Sequence, residues 1–230
     1  MAKQEIHVEC HDCRCKSGPF MLLNEEQMAR VDKQRTEITY NKGEIICKQG
    51  SFVSYILFIK KGLVKLFLET KPTPTIISVE KNGYFLGLQS ITGQGVFHYS
   101  VEAIEDTELC LVNIEVFKEL ILENAKFAAG VLGYINKDMV KLYDRLHSAA
   151  HKQIHGRFAE FLLYLKDNIY QENPFTISIT KKDMADIIST SSESVSRLFT
   201  ELKKEKIISE KGKTITVIDE DKLRQISKFG

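Results

Sequence analysis

Two groups of residues in this chain have types and spacings that could do chemistry. The first is the run Cys10-His11-Asp12-Cys13-Arg14-Cys15, which places three thiols within six residues, with His7 close by. A polar stretch of that density buries little and suits ligation of a soft metal or an iron–sulfur cluster. Such a site needs a fourth donor, and the only other thiols are Cys47 and Cys110, both in stretches that read as strands. The plainer alternative is that Cys47 and Cys110 are small buried hydrophobes and the N-terminal trio a tail. The second group is Ser192, Glu193, Ser196, Arg197 and Thr200. An arginine can fork onto guanine O6 and N7, a glutamate can accept from cytosine N4, and a serine can serve either strand. Glu193, Ser196 and Arg197 on one short helix face therefore form a base-reading inventory.

These residues need elements to position them. Val195, Leu198, Phe199 and Leu202 fall at i, i+3, i+4 and i+7, which gives one helix a buried side and turns the polar group outward. Ahead of it, Met184, Ile187 and Ile188 supply the apolar face of a shorter helix, with Ala185 allowing close approach, and Ser189-Thr190-Ser191 offers hydroxyl caps for the second helix. The whole, Lys182–Leu202, reads as a helix-turn-helix. Thr180, Lys181 and Lys182 open it, where backbone N–H and ammonium groups could together grip a phosphate, with Thr180 and Lys182 the candidate contacts. Ile207–Ser209 and Lys213–Val217 around a polar turn read as a β-wing, with Lys211 and Lys213 placed to meet phosphate.

Upstream, residues 125–150 are strongly helical, and Leu132, Ile135, Met139, Leu142 and Leu146 recur at spacings of 3, 4, 3 and 4. That is the a/d seam of a two-stranded coiled coil, a candidate homodimer interface. Two-fold symmetry would then call for an inverted-repeat site in double-stranded DNA, with half-sites about one turn apart. From Ile38 to Ile114 the period changes to two, in short β-branched and aromatic runs punctuated by Gly43, Gly50, Gly62, Gly83, Gly87, Gly93 and Gly95, the pattern of an all-β sandwich or roll. Leu23–Val31 reads as a helix capped by Asn24, His151–Ile169 as another, Phe175–Ile179 as a strand, and Asp221–Phe229 as a final helix. The expected domains are a cysteine-bearing segment over 1–22, a β-roll over 23–124, a dimerisation helix over 125–150 and a winged helix-turn-helix over 151–230. The fold class is α+β.

Composition narrows the function. The net charge of +1 excludes DNA binding by bulk electrostatics. The last 80 residues carry 14 Lys and Arg against 12 Asp and Glu, and six of the basic residues fall between Arg197 and Lys213. Binding must rest on placed contacts multiplied by a dimer. No apolar run approaches the ~20 residues of a membrane span, and the N-terminus lacks the apolar core of a signal peptide, so no membrane association and a cytoplasmic location are expected. A cupin-like metalloenzyme is the alternative use of a β-roll, but between Ile38 and Ile114 the only histidine is His98. No Ser-His-Asp set, phosphate-cradling loop or carboxylate pair stands out, so the chain is not expected to be an enzyme.

Taken together, β-roll, long helix and winged helix-turn-helix resemble the cyclic-AMP receptor protein / fumarate-nitrate reduction regulator family of bacterial transcription factors. The resemblance covers nearly the whole chain. It rests on Lys42-Gly43-Glu44 with Gln49-Gly50, Phe58-Ile59 with Gly62, Asn82-Gly83-Tyr84-Phe85-Leu86-Gly87, Gly212-Lys213, and Glu193-Ser194-Val195-Ser196-Arg197, which fits an E-x-x-S-R pattern similar to readers of TTGA-type half-sites. It implies a jelly roll like that of cyclic-nucleotide-binding domains, a homodimer on DNA, and RNA polymerase as a partner if the protein activates. Cyclic AMP is not expected, because Gly87 is followed by Leu88-Gln89 and the family's arginine position falls among Phe97, His98 and Tyr99. The oxygen-sensing branch is similar in its C-x-x-C opening, matched by Cys10 and Cys13, and in a distal cysteine, matched by Cys110. The resemblance thus implies a [4Fe-4S] cluster on Cys10, Cys13, Cys15 and Cys110 and a redox, oxygen or nitrosative signal, although Cys15 follows Cys13 more closely than the family's third cysteine follows its second. Haem or another small molecule in the β-roll is the alternative effector.

Overall fold

The computed structural model describes residues 18–71 and 73–230, so Cys10, Cys13 and Cys15 lie outside the described residues. It divides into two compact units, one comprising the chain up to Val64 with Lys81–Met139, the other Lys65–Glu80 with Val140–Gly230.

The first unit is built on an aromatic cluster. The described chain opens with a 3-10 turn, Gly18–Leu22. Its Phe20 ring stands edge-on to Phe58, Phe85 and Phe117, with centroids 5.8, 5.0 and 6.1 Å away. Helix α1 (Glu25–Gln34) begins where Asn24 and Gln27 exchange side-chain and backbone hydrogen bonds, the reciprocal arrangement that satisfies two otherwise unpaired N–H groups. The strands β1 (Arg35–Tyr40), β2 (Ile45–Cys47), β3 (Tyr55–Lys61), β4 (Leu63–Leu68), β5 (Thr75–Lys81), β6 (Phe85–Leu86), β7 (Ser100–Ala103) and β8 (Thr107–Asn113) form two four-stranded sheets, ordered β1-β8-β3-β6 and β2-β7-β4-β5. Ile56, Leu57, Phe58 and Ile59 are buried in succession, so both faces of β3 are covered. Gly62, between β3 and β4, has φ +104°, and a Cβ there would meet the Asp106 carbonyl oxygen and Thr107 Cα, both at 2.8 Å. Only glycine meets both conditions at this turn.

Helix α2 (Ile114–Glu123) was not expected from the sequence. It follows β8 with no intervening loop, and the Asn113 side chain that accepts from Glu115 N also closes the strand, so the apolar residues Ile114, Val116, Phe117 and Leu120 read as a continuation of the roll. Helix α3 (Ala125–His151) spans about 40 Å. On its inward side Phe127 and Val131 are buried, Tyr134 Oη accepts from Phe85 N at 3.2 Å, and Asp138 accepts from Tyr84 Oη at 2.6 Å.

In the second unit, α4 (Ile154–Tyr164) is shorter than the expected helix and passes into a π-helical turn, Leu165–Tyr170, which ends at Gln171 in the left-handed region. The expected strand at Phe175–Ile179 is only β9 (Phe175–Thr176). Its pairing with β11 (Thr214–Val217) extends over two residues, and beyond them the chain turns away to start α5 (Lys181–Ile187). Helix α6 (Ser192–Lys204) and β10 (Ile208–Lys211) complete the helix-turn-helix and wing. Helix α7 (Glu220–Phe229) lies against α4 so closely that a Cβ on Gly156 would run into the Gly230 carbonyl oxygen.

The units do not follow boundaries at 124 and 150. The division cuts α3 after Met139 and groups most of the β4–β5 hairpin with the helix-turn-helix. Polar contacts within the second unit account for this. Tyr164 Oη donates to the Val79 carbonyl at 2.8 Å, and Lys65 Nζ lies 2.9 Å from Asp183 Oδ1. A half-buried Arg145 Nη2 donates to the carbonyls of Ile76 and Ile187, each at 3.2 Å.

Candidate nucleic-acid interface

The helix-turn-helix forms where local rules place it. Thr180 caps α5: its Oγ1 accepts from Asp183 N at 3.0 Å and donates to Asp183 Oδ2 at 2.6 Å. Ser191 caps α6, accepting from Ser194 N at 3.2 Å. Val195, Leu198, Phe199 and Leu202 are all buried, and Phe199 meets Phe158 of α4 edge-on at 4.9 Å between centroids. Fixing that side leaves Glu193, Arg197 and Thr200 exposed and Ser192 and Ser196 half-buried. The expected base-reading group therefore shares the free face of one helix, beginning at its first turn.

Each polar residue on that face has a definite local state. The Glu193 carboxyl is held below the usual carboxylate range, first by its own backbone N–H and then by the Ser191 hydroxyl, so it is an acceptor at neutral pH. Ser196 Oγ donates to the Ser192 carbonyl at 3.0 Å and receives the Lys181 ammonium at 3.4 Å. Lys181 in turn sits over the Phe199 ring, 5.7 Å from its centroid. Arg197 is two-thirds exposed, and its Nε is 3.7 Å from Glu201 Oε1. Lys182 and Lys213 are exposed at the opening of α5 and at the wing turn, where Gly212 takes φ +64°. The Thr180 hydroxyl is engaged in its cap, which leaves the exposed Lys182 as the expected phosphate contact still open to solvent at that end. The sequence reading grouped Lys181 with Thr180 and Lys182 as a phosphate grip but did not anticipate its seat on Ser196 and Phe199, nor Glu201 or the Thr180–Asp183 exchange. The last had a signal, a threonine followed three residues later by a carboxylate.

The residues of the expected seam fall on the outward side of α3. Leu132, Met139, Leu142 and Leu146 are exposed, Ile135 is half-buried, and Val140 and Tyr143 widen the apolar stripe.

Among the described residues Cys47 and Cys110 are the two cysteines; they form no disulfide with one another and lie on different sheets. Burial pushes the Cys47 thiol up to about 12, which fits a small hydrophobe. Cys110 is also raised by burial, but Arg35 opposes the shift, with its Nη1 3.9 Å from the sulfur. Cys110 lies opposite Phe58 across β3 and opposite Glu37 across β1. Cross-strand partners share a face, and Phe58 is the residue on which Phe20 packs. The described chain thus comes in over the face that carries Cys110. Arg35 and Lys60, both ion-paired to Glu37, bring cationic groups to that face, which pull the Cys110 thiol down without overcoming burial and would offset the charge of an anionic cluster. Among the described residues no group of three or more His, Cys, Asp or Glu is arranged to hold a metal ion, so any such site depends on the N-terminal cysteines. In these respects the described residues fit a cluster with Cys110 as one ligand.

At the turn after β6, Gly87 has φ +90° and donates its N–H to Tyr99 Oη at 3.1 Å, while Tyr99 Oη donates to Gln89 Oε1 at 3.3 Å. A phenol and an amide close this turn from within.

Two family models match the chain: residues 37–124 match one described as a cyclic nucleotide-binding domain, and residues 156–226 one described as a Crp-like helix-turn-helix domain. Similar relatives include the transcriptional activator protein Anr of Pseudomonas protegens, 23% identical over 94% of this chain and 92% of its own length. The fumarate and nitrate reduction regulatory protein of Vibrio cholerae is 23% identical over 96% and 90%. The structure of FixK2 from Bradyrhizobium japonicum superposes with a TM-score of 0.77 at 20% identity, covering 84% of this chain and 96% of that one. No helix among the described residues is long and apolar enough to cross a membrane. With a cyclic-nucleotide-binding-like β-domain, a long helix and a Crp-like helix-turn-helix in that order, the chain belongs to the CRP/FNR family of DNA-binding transcriptional regulators and is not an enzyme.

Proposed function

We propose that this regulator acts in the cytoplasm as a homodimer on an inverted repeat with TTGA-like half-sites, and that it responds to a redox, oxygen or nitrosative signal rather than to cyclic AMP. The observation that carries the DNA reading is the free face of α6, where Glu193, Ser196 and Arg197 stand together above a fully buried apolar side. Ser192 lies at the start of that face, and Lys182 and Lys213 flank it as phosphate contacts. The apolar stripe Leu132, Ile135, Met139, Leu142 and Leu146, with its inward side committed to packing, supports α3 as the two-fold seam. The self-satisfied turn at Gly87, Gln89 and Tyr99 supports a signal other than a cyclic nucleotide.

For the signal, Cys10, Cys13, Cys15 and Cys110 would hold a [4Fe-4S] cluster, whose chemistry is loss or conversion on meeting oxygen or nitric oxide. What supports it is the placement of Cys110 on the face under Phe20, beside Arg35 and Lys60. As an activator the dimer would also engage RNA polymerase.

Selection of binding sites from a random duplex pool by anaerobically purified protein tests the DNA reading, with recovery of an inverted repeat expected. Iron and sulfide analysis with a visible spectrum, before and after air, tests the signal. About four irons per chain and an absorption band lost in air are expected, with both absent in Cys110→Ala. Colourless, iron-free protein that still selects an inverted repeat would overturn the cluster and leave the DNA reading standing.

A further inference from the structure

The Arg197 side chain is two-thirds exposed, and an unrestrained guanidinium on a DNA-binding surface will pair with whichever phosphate lies nearest. Such pairing carries no sequence information. The residue one turn further along α6 is a carboxylate, Glu201, and its two oxygens face different ways. Oε1 is 3.7 Å from Arg197 Nε, while Oε2 is 3.0 Å from His155 Nε2 on α4. The relation between α4 and α6 is set by the edge-on contact of Phe158 and Phe199, which lie close in sequence to His155 and Glu201. Holding the two helices in this way keeps His155 within hydrogen-bond reach of Glu201, whose other oxygen faces Arg197. A carboxylate so placed engages the Nε side of the guanidinium and leaves the Nη end, which forks onto a guanine edge, turned outward. It also competes with phosphate for the arginine and adds a negative charge beside the DNA backbone.

We propose that Glu201, buttressed by His155, is a positioning residue for Arg197 that raises discrimination between the operator and random DNA. The inference rests on the DNA reading proposed above and adds to it the residue that sets its selectivity. Glu201 lowers affinity for DNA in general and steers Arg197 to the one site that offers it two acceptors.

The test is a fluorescence-anisotropy titration of the full-length protein at fixed salt. It uses the selected duplex, the same duplex altered at the base pair Arg197 reads, and a random duplex. Glu201→Ala should bind random DNA more tightly and relax the preference at that base pair, lowering the specificity ratio about two- to fivefold, the range an exposed ion pair supports. Glu201→Gln, which keeps one acceptor oxygen for Arg197 but loses the charge and the second oxygen, should restore part of the base preference, and His155→Ala should reproduce part of its loss. In an Arg197→Ala background, Glu201→Ala should leave base preference unchanged. If the two substitutions change base preference additively, or if Glu201→Ala changes none in the wild-type background, the positioning role is overturned. If wild-type protein fails to discriminate, or does so without Arg197, the DNA reading itself falls, and this inference with it.

Discussion

On the proposed DNA reading, replacing Arg197 with lysine isolates the base contact from everything else the residue does. Its side chain is two-thirds exposed and its ion-pair neighbour among the described residues is Glu201, one turn away at 3.7 Å. Such a pair contributes about 0.3–0.5 kcal/mol to the helix, so the variant should fold and dimerise as the wild type does. Charge is conserved, so the count of neutralised phosphates and the slope of affinity against salt should not move. What is lost is the planar fork. A bidentate arginine–guanine pair discriminates by about 1–3 kcal/mol, and an ammonium that keeps one of the two bonds forfeits about 1–2 of these. A dimer on an inverted repeat makes the contact twice, and mismatches at separate positions add, so the loss on the operator is about 2–4 kcal/mol, or roughly thirty- to several-hundred-fold. Binding to random DNA should change by less than about twofold, since it rests on charge that lysine retains. The assay is a titration of labelled operator and random duplexes across a salt series. Equal weakening on both duplexes would refute the argument, as would an operator affinity that lysine leaves intact.

Four further outcomes follow from the same structure. Leu146→Glu puts a charge in the exposed α3 stripe and should shift sedimentation from dimer to monomer, with operator binding lost; a dimer that persists would remove α3 from the interface. Phe20→Ala empties a buried site ringed by Phe58, Phe85 and Phe117 and should cost about 3–5 kcal/mol in denaturant unfolding. Tyr99→Phe leaves the Gly87 N–H without its partner and should destabilise the protein by about 1–3 kcal/mol in the same measurement. Burial tends to raise the Asp183 carboxyl, but the Thr180 hydroxyl and then Lys65 outweigh it and hold it below the ordinary value. A depressed carboxylate stabilises fully above its unfolded pKa of about 4 and loses that contribution as pH falls through the folded value. Lys65→Met should therefore reduce stability at neutral pH and flatten its decline below about pH 4; an unchanged acid limb would dismiss the pair.

How much could be read in advance depended on the range of the interaction concerned. The recognition helix was legible because Val195, Leu198, Phe199 and Leu202 encode its buried side within eight residues, and Asn24 and Ser191 were legible as caps because a cap acts on backbone within three positions. Turns needing positive φ were legible at Gly43, Gly50 and Gly62, and all three take it; Gly83, Gly87 and Gly95, read only as breaks between strands, take it as well. Helix α2 was hidden by its direct junction with β8. The seam was read as an a/d pattern, whereas Val140 and Tyr143 also point outward, because the inward side of α3 is fixed by Tyr134, Asp138, Arg145 and Ser148 and leaves a wider stripe than a coiled-coil register implies. Lys65 with Asp183 and His155 with Glu201 join residues 118 and 46 positions apart, and no local pattern marks either.

Those long-range pairs bear on how a reader of this kind could be controlled. Asp183 sits in the first turn of α5 and is shared between the Thr180 cap, which is local to the helix-turn-helix, and Lys65 of β4, which is not. Arg145 of α3 makes the same connection by another route, one guanidinium nitrogen holding a carbonyl of β5 and a carbonyl at the end of α5. The hairpin grips the first helix of the reader near both of its ends. An equilibrium between two arrangements shifts only by the difference in interaction energy between them. Lys65 to Asp183 and Arg145 to Ile187 are contacts whose energy depends on where the hairpin stands, whereas the caps and the apolar side of α6 hold the recognition helix together wherever it stands. A change at the hairpin would therefore reach α5 through these two contacts, while the exposed face of Glu193, Ser196 and Arg197 is held by interactions local to α6.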